Sequence, residues 1–461
     1  MKIAVCVRQG LDGELSPFDA SAYEAALRIP GAEVTLVSMG PASVKDFLLR
    51  LTRLGAKRAI LLCDPAFAGA DTIATAYTLS YAIKKIAPDL VLCGRQTLVG
   101  DTAQTGPMLS VMCGLSLISG VMSIESVTDK ITCNTREEGI CTANLPALIT
   151  VERIHNLRLP SILSRVGTVE ILTSADLAID INRTGLVGSP TRVKKTFENA
   201  SGKRKCKFIT KGELKSVIDE ATKKELERTE SDTKSGERLD SVLCVTNAPI
   251  PFAKMVSDNI TVIDITDEKT LAKRIEEEKP AAVLFGSDSK SKALSARVCA
   301  ILGLGLCADC TSLDVEDGEL VMVRPTLSGS VIARIVSNTR PAVATVRTVD
   351  TASRIVVSAG YGARNSLDSV KAFAEELGAE LASTRKAVDN DLMPYASQVG
   401  LTGKTVAPAL YIALGVSGAV HHIVGMQRSG TVIAINPDKD APIFEYADYG
   451  ILSSVEDVLG K

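Results

Sequence analysis

The side chains with the clearest potential for chemistry lie near the C-terminal end, where glycine, hydroxyl and imidazole residues follow short apolar runs. Three segments contain them: 398–403 (QVGLTG), 415–422 (GVSGAVHH) and 436–440 (NPDKD). The preceding residues have the length and composition of buried strands, and each segment can turn tightly. All three are therefore predicted to be strand-to-helix turns.

Such turns favour a particular kind of ligand. Unpaired backbone N–H groups and the positive end of a helix together attract a pyrophosphate. The hydroxyls of Thr402 and Ser417 and the imidazole of His422 would then be available to contact a ring. The pattern predicts a dinucleotide site.

Ordinary structural roles remain open for the same side chains. Ser417 and Asp448 could cap helices that begin at Ala419 and Ser453, a use that stabilises a helix by about 1 kcal/mol. His422, which follows another histidine, could belong to an exposed pair on a helix surface. Local sequence does not choose between these roles and ligand binding.

Length and composition set the broad class. A chain of 461 residues suggests about three domains. The balance of 52 basic and 54 acidic residues gives no electrostatic case for a nucleic-acid partner. The first residues resemble a buried strand rather than a signal peptide, and no apolar run approaches the ~20 residues of a membrane span. We therefore predict a cytoplasmic protein without a membrane span.

The cysteines give little indication of metal binding. Most of the 11 cysteines stand singly in apolar runs, where a thiol behaves as a small hydrophobic group. Cys307 and Cys310 have CxxC spacing, but no second pair or flanking histidine completes a zinc site. No metal site is predicted, and a redox role for this pair is disfavoured.

The first half alternates apolar runs with helical segments. The apolar runs are 3–7, 34–38, 59–62 and 90–93. This alternation predicts parallel strands joined by crossover helices. A helix should follow residue 101 and end near Gly114, and a late hairpin or antiparallel strand should extend the sheet.

The same pattern occurs twice. Residues 88–94 (PDLVLCG) correspond to 279–286 (KPAAVLFG), and residues 145–151 (LPALITV) correspond to 340–346 (RPAVATV). The repeat predicts two related α/β domains, the second shortened at its beginning.

We predict an α/β fold with three units. Two related Rossmann-like domains span 1–193 and 239–347, and a doubly wound parallel-sheet domain spans 348–461. Residues 194–238 are rich in Lys, Glu, Thr and Ser, with a helical patch at 213–228. This composition predicts a charged linker or wrapping arm.

An ordered series of motifs extends across the chain. The first half contains KIAVCVRQ at 2–9, SPFD at 16–19, CGRQ at 93–96, GDTAQTG at 100–106 and RLPS at 158–161. The second half contains VLFG at 283–286, ADCT at 308–311, NTRPA at 338–342, GKTVAP at 403–408, LYIA at 410–413, SGA at 417–419, APIF at 441–444 and ADYGI at 447–451. Together these motifs resemble an electron-transfer flavoprotein whose β subunit is fused in front of its α subunit.

The resemblance implies FAD in the C-terminal domain. By family position, Thr402 contacts flavin N5, Ser417 is the serine of the next turn, and Asn436 and Asp448 lie near the adenosine end. His422 matches a donor near the pyrimidine edge, where hydrogen bonds or positive charge stabilise the anionic reduced flavin. The full predicted FAD set is Gly360, Tyr361, Gly362, Gln398, Val399, Gly400, Leu401, Thr402, Gly403, Gly415, Ser417, Gly418, Ala419, His421, His422, Asn436 and Asp448.

Two positions depart from the family. Tyr361 stands where the family usually has arginine over the flavin, so that charge is missing unless Arg364 or Arg428 replaces it. Leu401 stands where the family has glutamine, which removes one amide. We expect both changes to affect the flavin potential more than flavin binding.

A second nucleotide site is predicted in the first domain, where 94–97 and 100–106 follow a strand and open a helix. Asp101 could instead be an ordinary N-cap. In the family this site holds AMP or a second FAD that accepts hydride from NADH, and the resemblance leaves both open. The predicted residues are Cys6, Val7, Ser38, Cys63, Gly94, Gln96, Thr97, Asp101, Thr102, Ala103, Gln104 and Thr105.

The resemblance implies an electron carrier between a flavin dehydrogenase of the acyl-CoA dehydrogenase type, as in fatty acid oxidation, and a second redox partner. Residues 178–189 align with the family's partner-recognition loop, in which Leu186 would enter the dehydrogenase, although an exposed leucine is often incidental. One alternative is a bifurcating NADH oxidoreductase with two FAD molecules. Another is a flavin-free protein that binds an adenine nucleotide.

Overall fold

The computed structural model describes residues 1–10, 12–97, 100, 102–198, 203–223, 236–326, 331–347 and 353–460. Their contacts form two compact units. The first unit is Met1–Thr196, Thr233–Leu327 and Ala333–Val346, and the second unit is Phe197–Asp232, Ser328–Ile332 and Arg347–Lys461. Among the described residues, no helix has the length and apolar character needed to cross a membrane.

The strands are given in chain order. In the first half they are β1 (Lys2–Cys6), β2 (Glu33–Met39), β3 (Arg58–Leu62), β4 (Leu90–Gly94), β5 (Ser116–Val127), β6 (Lys130–Thr135), β7 (Gly139–Asn144), β8 (Ala147–Val151) and β9 (Thr168–Leu172). In the middle they are β10 (Thr191–Glu198), β11 (Lys207–Phe208), β12 (Val242–Val245), β13 (Ile260–Ile263), β14 (Ala282–Phe285), β15 (Leu306–Cys310), β16 (Ser312–Glu316), β17 (Glu319–Thr326), β18 (Val331–Ser337) and β19 (Ala342–Val346). The last strands are β20 (Ile355–Ala359), β21 (Glu380–Ser383), β22 (Leu410–Leu414), β23 (Thr431–Ile435) and β24 (Tyr449–Ile451).

The helices follow the same order. They are α1 (Pro17–Arg28), α2 (Val44–Thr52), α3 (Thr72–Ile86), α4 (Thr105–Cys113), α5 (Ser174–Leu177), α6 (Leu214–Lys223), α7 (Ile250–Val256), α8 (Glu268–Glu278), α9 (Ser289–Leu302), α10 (Leu367–Glu376), α11 (Arg385–Asp389), α12 (Val420–Met426) and α13 (Val455–Leu459). Short 3-10 turns occupy Pro65–Phe67, Ile181–Arg183, Lys211–Glu213, Tyr361–Ala363, Tyr395–Ser397 and Pro442–Tyr446.

The larger sheet of the first unit has the order β7-β6-β5-β8-β4-β1-β2-β3-β9. Its centre is parallel, whereas β6 pairs antiparallel with both β5 and β7. β4 and β8 are almost wholly buried, as expected for parallel strands covered on both faces. The predicted parallel sheet with a late antiparallel extension is confirmed.

A second sheet of this unit has the order β13-β12-β14-β19-β15 and is wholly parallel. β12 lies between β13 and β14, as β1 lies between β2 and β4. β14 pairs with β19, as β4 pairs with β8. These equivalent pairings support the predicted repeat. Because both repeats lie in one compact unit, the boundaries at 193 and 239 remain predictions.

The second unit contains a six-stranded parallel sheet with the order β11-β24-β23-β22-β20-β21. Its central strand β22 is completely buried. Part of the predicted linker belongs to this unit, since β11 pairs with β24, and Ile209, Leu214 and Ile218 pack into its core. The predicted helix at 213–228 is present as α6, and the part after 223 lies outside the described residues.

Candidate functional site

The turns of the second unit meet at one edge of its sheet. β20, β22 and β23 are in parallel register, so their carboxyl ends lie side by side. Residues 360–363, 415–419 and 436–440 follow those ends. The carboxyl edge of an open α/β sheet is the usual position of a ligand.

Glycines let these turns touch. A Cβ on Gly360 would lie 2.1 Å from the Gly415 carbonyl oxygen, and the N–H of Gly362 donates to that oxygen at 3.0 Å. A Cβ on Gly418 would lie 2.1 Å from the backbone nitrogen of Ile443. These glycines are required by close backbone contacts between turns.

The turn after β22 presents unpaired donors. Within the described part of the chain, the backbone N–H groups of Ser417, Gly418 and Ala419 donate no hydrogen bond. Asn436 holds this turn in place, because its Nδ2 donates to the Val416 carbonyl oxygen at 2.9 Å. A run of free amides has the donor chemistry that a pyrophosphate needs.

The segment 398–403 differs from the prediction, because it is not a strand-to-helix turn. It follows a 3-10 turn and folds back on itself, with Lys404 N–H donating to the Gln398 carbonyl oxygen and Gly400 N–H donating to the Lys404 carbonyl oxygen. Gly400 has φ 144°, and a Cβ there would lie 2.6 Å from the His421 carbonyl oxygen. Similarly, the turn 436–440 leads into a 3-10 helix rather than an α-helix.

This folded segment contains Gln398 and Thr402, which form a buried pair. Gln398 Nε2 donates to Thr402 Oγ1 at 2.8 Å. Gln398 Oε1 is buried and has no hydrogen-bond partner among the described residues. An orphaned buried acceptor is costly, so a ligand N–H or O–H would be stabilised there. The adjacent Val399 and Leu401 are buried.

His422 is buried, and both of its ring nitrogens have hydrogen-bond partners within the protein. Its Nδ1 lies 3.1 Å from the Val399 carbonyl oxygen, and its Nε2 lies 2.8 Å from the Tyr411 hydroxyl oxygen. Burial lowers the pKa of His422 to about 4, against a smaller opposing effect of the Val399 hydrogen bond. The ring is therefore neutral near pH 7, and the structure gives His422 a positioning role rather than a positive charge.

His421 differs from its neighbour His422 in the surroundings of its ring. Its Nε2 is buried without a hydrogen-bond partner among the described residues. Burial, followed by the charge of Arg385, lowers the pKa of His421. A neutral imidazole nitrogen at this position could donate to or accept from a ligand.

Two positively charged side chains lie beside the Tyr361 ring in the turn after β20. The Arg364 guanidinium lies 4.9 Å from the Tyr361 ring centroid, and the Lys386 ammonium lies 4.6 Å from it. Such distances allow cation–π attraction. Arg364 can therefore supply the charge expected at position 361. Arg428 follows α12, which runs away from the carboxyl edge, and it donates to the Arg347 carbonyl oxygen.

Lys386 was missed from the sequence, although a signal existed. The helix α11 begins with Arg385 and Lys386, and positive charge at a helix N-terminus is unfavourable. Arg385 pairs with Asp389 inside this helix at 3.5 Å, so Lys386 is the residue whose position indicates a role outside the helix.

Asp448 does not lie near the turns at the carboxyl edge of the sheet. It directly precedes β24, and its carboxylate accepts from the Val432 N–H at the start of β23 (2.8 Å) and pairs with Arg204. It therefore lies at the amino edge of the sheet, opposite the carboxyl ends. Its predicted contact at the adenosine end does not fit this geometry.

Neither helix-cap alternative fits. α13 begins after Ser454, whose hydroxyl accepts from the Asp457 N–H, so Asp448 is not its cap. α12 has Ala419 at its N-cap and no side-chain cap bond, so Ser417 does not cap it.

The first unit contains a cavity of about 880 Å³. Its walls include polar groups from the predicted turns and apolar groups from both repeats. The predicted residues on its lining are Cys6, Val7, Cys63, Gly94, Gln96, Thr97, Thr102, Ala103, Gln104 and Thr105. This volume lies near the upper end of the roughly 300–1,000 Å³ typical of small-molecule sites.

Two predicted residues stand apart. Ser38 is buried in β2, while its neighbours Val37 and Met39 line the cavity, because alternate side chains of a strand face opposite sides. Asp101 lies outside the described residues.

Gln104 provides an unpaired donor in this cavity. It is buried, and its Oε1 accepts from the Thr72 hydroxyl at 2.8 Å. Its Nε2 has no partner among the described residues. Ala103, just before it, has φ 56°, which bends the chain sharply at the start of α4. A buried amide donor on the cavity wall can bind an acceptor atom of a nucleotide.

Asp19 connects two turns at the cavity wall. Its carboxylate accepts from the backbone N–H of Arg8 at 2.9 Å and from the N–H of Gly94. Burial raises the pKa of Asp19 to about 7, against the lowering effect of these bonds. A Cβ on Gly94 would lie 2.4 Å from Asp19 Oδ1, which explains the glycine.

The second repeat also contributes to the lining through Leu306, Cys307, Arg324 and Ile335. Arg324 Nη2 donates to the Gly100 carbonyl oxygen at 3.0 Å. Local sequence could not show these contributions, because the residues lie about 200 positions from the turns they join.

Leu186 projects from a fixed loop. Its side chain is 71% exposed, while its N–H donates to the Ala68 carbonyl oxygen at 2.9 Å. The buried Thr184 hydroxyl bonds the Ala66 carbonyl oxygen at 3.0 Å, and Gly185 has φ 55°. The backbone is thus anchored, and Leu186 and Val187 face outward.

Comparisons of the sequence with known families give two matches. Residues 3–177 and 265–363 match the electron transfer flavoprotein domain, and residues 350–427 match the electron transfer flavoprotein FAD-binding domain.

Individual relatives include both subunit types. The electron transfer flavoprotein subunit beta of Thermoanaerobacterium thermosaccharolyticum is 40% identical over 202 residues, covering 41% of this chain and 78% of the relative. The electron transfer flavoprotein subunit alpha of that organism is 33% identical over 254 residues, covering 44% of this chain and 77% of the relative. Protein FixA of Azorhizobium caulinodans is 38% identical over 223 residues, covering 44% of this chain and 79% of the relative. The chain belongs to the electron transfer flavoprotein family and joins a beta-like and an alpha-like part in one polypeptide.

Proposed function

We propose that this chain carries electrons by means of FAD held in the second unit, between a flavin dehydrogenase of the acyl-CoA dehydrogenase type and a second redox partner. The supporting observation is the edge of the parallel sheet, which has the amides of 417–419 and the buried atoms Gln398 Oε1 and His421 Nε2, all without a hydrogen-bond partner among the described residues. When bound there, FAD would supply reversible one-electron chemistry.

The residues of this edge have distinct proposed roles. The amides of Ser417, Gly418 and Ala419 would bind the pyrophosphate. Gln398 and His421 would satisfy polar groups of the ligand. Arg364 and Lys386 would supply positive charge that favours the anionic reduced ring.

The cavity of the first unit is the proposed site of AMP or a second FAD. Its volume of about 880 Å³ has room for a ligand larger than a mononucleotide. This favours, as a second candidate function, a two-FAD enzyme that accepts hydride from NADH and divides its electrons between two acceptors.

Counting bound nucleotides distinguishes these functions. The purified full-length chain is denatured, and FAD and AMP are quantified per chain after reconstitution with excess FAD. One FAD with one AMP supports the carrier, and two FAD molecules with bleaching by NADH alone support the two-FAD enzyme. A colourless protein that resists FAD reconstitution contradicts both and favours the flavin-free alternative.

A further inference from the structure

Cys307 and Cys310 lie close together despite their position in one strand. Residues three apart in a regular strand face opposite sides of the sheet. Here the pairing of β15 with β19 shifts register between the two cysteines, and Asp309 has φ 54°. As a result, the two sulfur atoms are 3.5 Å apart.

Buried contacts hold this irregular backbone. The Asp309 carboxylate pairs with the Lys292 ammonium at 2.9 Å, and the Asp309 N–H donates to Thr345 Oγ1 at 2.8 Å. A left-handed conformation is unfavourable for a residue other than glycine, so these contacts must offset its cost. The proximity of the thiols is therefore built into the fold.

The two thiols differ in access and reactivity. Both side chains are buried, but Cys307 lines the cavity of the first unit, whereas Cys310 is not part of that lining. The Cys310 thiol donates to Cys307, and this hydrogen bond lowers the pKa of Cys307 against the opposing effect of burial, with a smaller lowering effect of the Arg324 charge. Burial raises the pKa of Cys310. Cys307 is the better nucleophile.

We propose that Cys307 and Cys310 are a reversible dithiol–disulfide site on the cavity wall, oxidised by hydrogen peroxide. A small neutral oxidant suits thiols reached only through the cavity. Unlike the proposed electron transfer, this reaction does not require FAD in the second unit.

The oxidation balances in two steps. The Cys307 thiolate attacks peroxide, an S–O bond forms, the O–O bond breaks, and hydroxide leaves and is protonated to water. Cys310 sulfur then attacks the Cys307 sulfenic acid, an S–S bond forms, and the S–O bond breaks to release a second water. The thiols lose two electrons, which the peroxide gains.

The test uses the full-length protein treated with hydrogen peroxide under native conditions, followed by intact-mass measurement and peptide mapping. We expect a mass lower by two hydrogen atoms, a disulfide mapped to Cys307–Cys310, and recovery with dithiothreitol. The Cys310→Ser variant should accumulate a dimedone-reactive sulfenic acid on Cys307. The Cys307→Ser variant should show none on Cys310.

Matched controls decide the outcome. Cys244→Ser, at a buried cysteine of β12, should retain the disulfide. Cys6 and Cys93 are opposite each other on β1 and β4 and line the same cavity, so they are the strongest rivals. A disulfide mapped to that pair, a parent protein that stays reduced, or irreversible oxidation without a Cys307–Cys310 bond would overturn the proposal. The peptide map of the parent protein shows whether the Cys307–Cys310 disulfide forms, even if a variant fails to fold.

Discussion

At the scale of single residues, His422 has a tautomer that its contacts determine. The Val399 carbonyl oxygen can only accept, so Nδ1 carries the proton and Nε2 accepts from the Tyr411 hydroxyl. Both ring nitrogens are thus used inside the second unit. A second proton would place a charge in a buried site and remove the acceptor for Tyr411.

We expect the stability of the second unit to fall as the pH drops from about 6.5 to about 4. In this window the unfolded state binds the proton more readily, since the folded pKa of His422 is about 4 and its usual value is 6.5. By about pH 4, the free energy of unfolding has fallen by about 3 kcal/mol. Hydrogen exchange of peptides from β22, followed by mass spectrometry across this range, measures it. His422→Gln should remove most of this pH dependence; equal slopes in parent and variant would show that another group is responsible.

The cations beside Tyr361 lead to a redox prediction. Arg364→Gln and Lys386→Gln should each lower the FAD midpoint potential by tens of millivolts, because each removes positive charge that stabilises the anionic reduced ring. A spectroelectrochemical titration measures this. Lys371→Gln, at an exposed lysine that pairs with Asp368, is the control and should leave the potential unchanged. Unchanged potentials in both test variants would place the ring away from Tyr361.

At the scale of elements, Arg204 adds side-chain hydrogen bonds to the strand pairing and core packing that join residues 203–223 to the rest of the second unit. Arg204 Nη1 donates to the Gly430 carbonyl oxygen at 2.7 Å and pairs with Asp448, while its Nη2 donates to the Ser429 carbonyl oxygen at 2.5 Å. The neighbouring Lys203 makes an exposed pair with Glu445 instead. The two adjacent residues offer a matched comparison.

Arg204→Ala should destabilise the second unit by about 2 kcal/mol and expose 203–223 to proteases, because several acceptors lose a shared charged donor. Lys203→Ala should change stability by less than about 0.5 kcal/mol, since exposed ion pairs contribute little. Urea unfolding and limited proteolysis measure the two effects. Similar losses in both variants would contradict the anchoring role of Arg204.

The elements themselves were largely predictable. Apolar runs bounded by turn residues predicted β1, β4 and β22, because burial on both faces requires continuous apolar side chains. The segment 398–403 was mispredicted because its backbone conformation depends on Gly400 packing against the His421 carbonyl oxygen, a contact that local sequence does not encode.

At the scale of the whole molecule, the partner-facing function can be tested at Leu186. Leu186→Ala should slow reduction by an acyl-CoA dehydrogenase at least severalfold while FAD content stays unchanged, because an anchored, exposed leucine binds a partner at little entropic cost. Stopped-flow reduction measures it. Leu163→Ala, at a leucine that is 89% exposed, is the control and should react like the parent. Equal slowing in both variants, or none, would contradict a docking role for Leu186.

The sequence alone determined the α/β class, the internal repeat and the family, because apolar periodicity and ordered motifs are properties of the chain itself. The tertiary structure decided which polar atoms remain without partners. In the folded protein His422 is a buried neutral ring, and Asp448 lies at the amino edge of the sheet, opposite the turns at the carboxyl ends. The tertiary structure also brought Cys307 beside Cys310, and Arg324 to a cavity far away in sequence. Hydrogen bonding and desolvation depend on all neighbours in space, and these neighbours are set only when the sheets and loops pack.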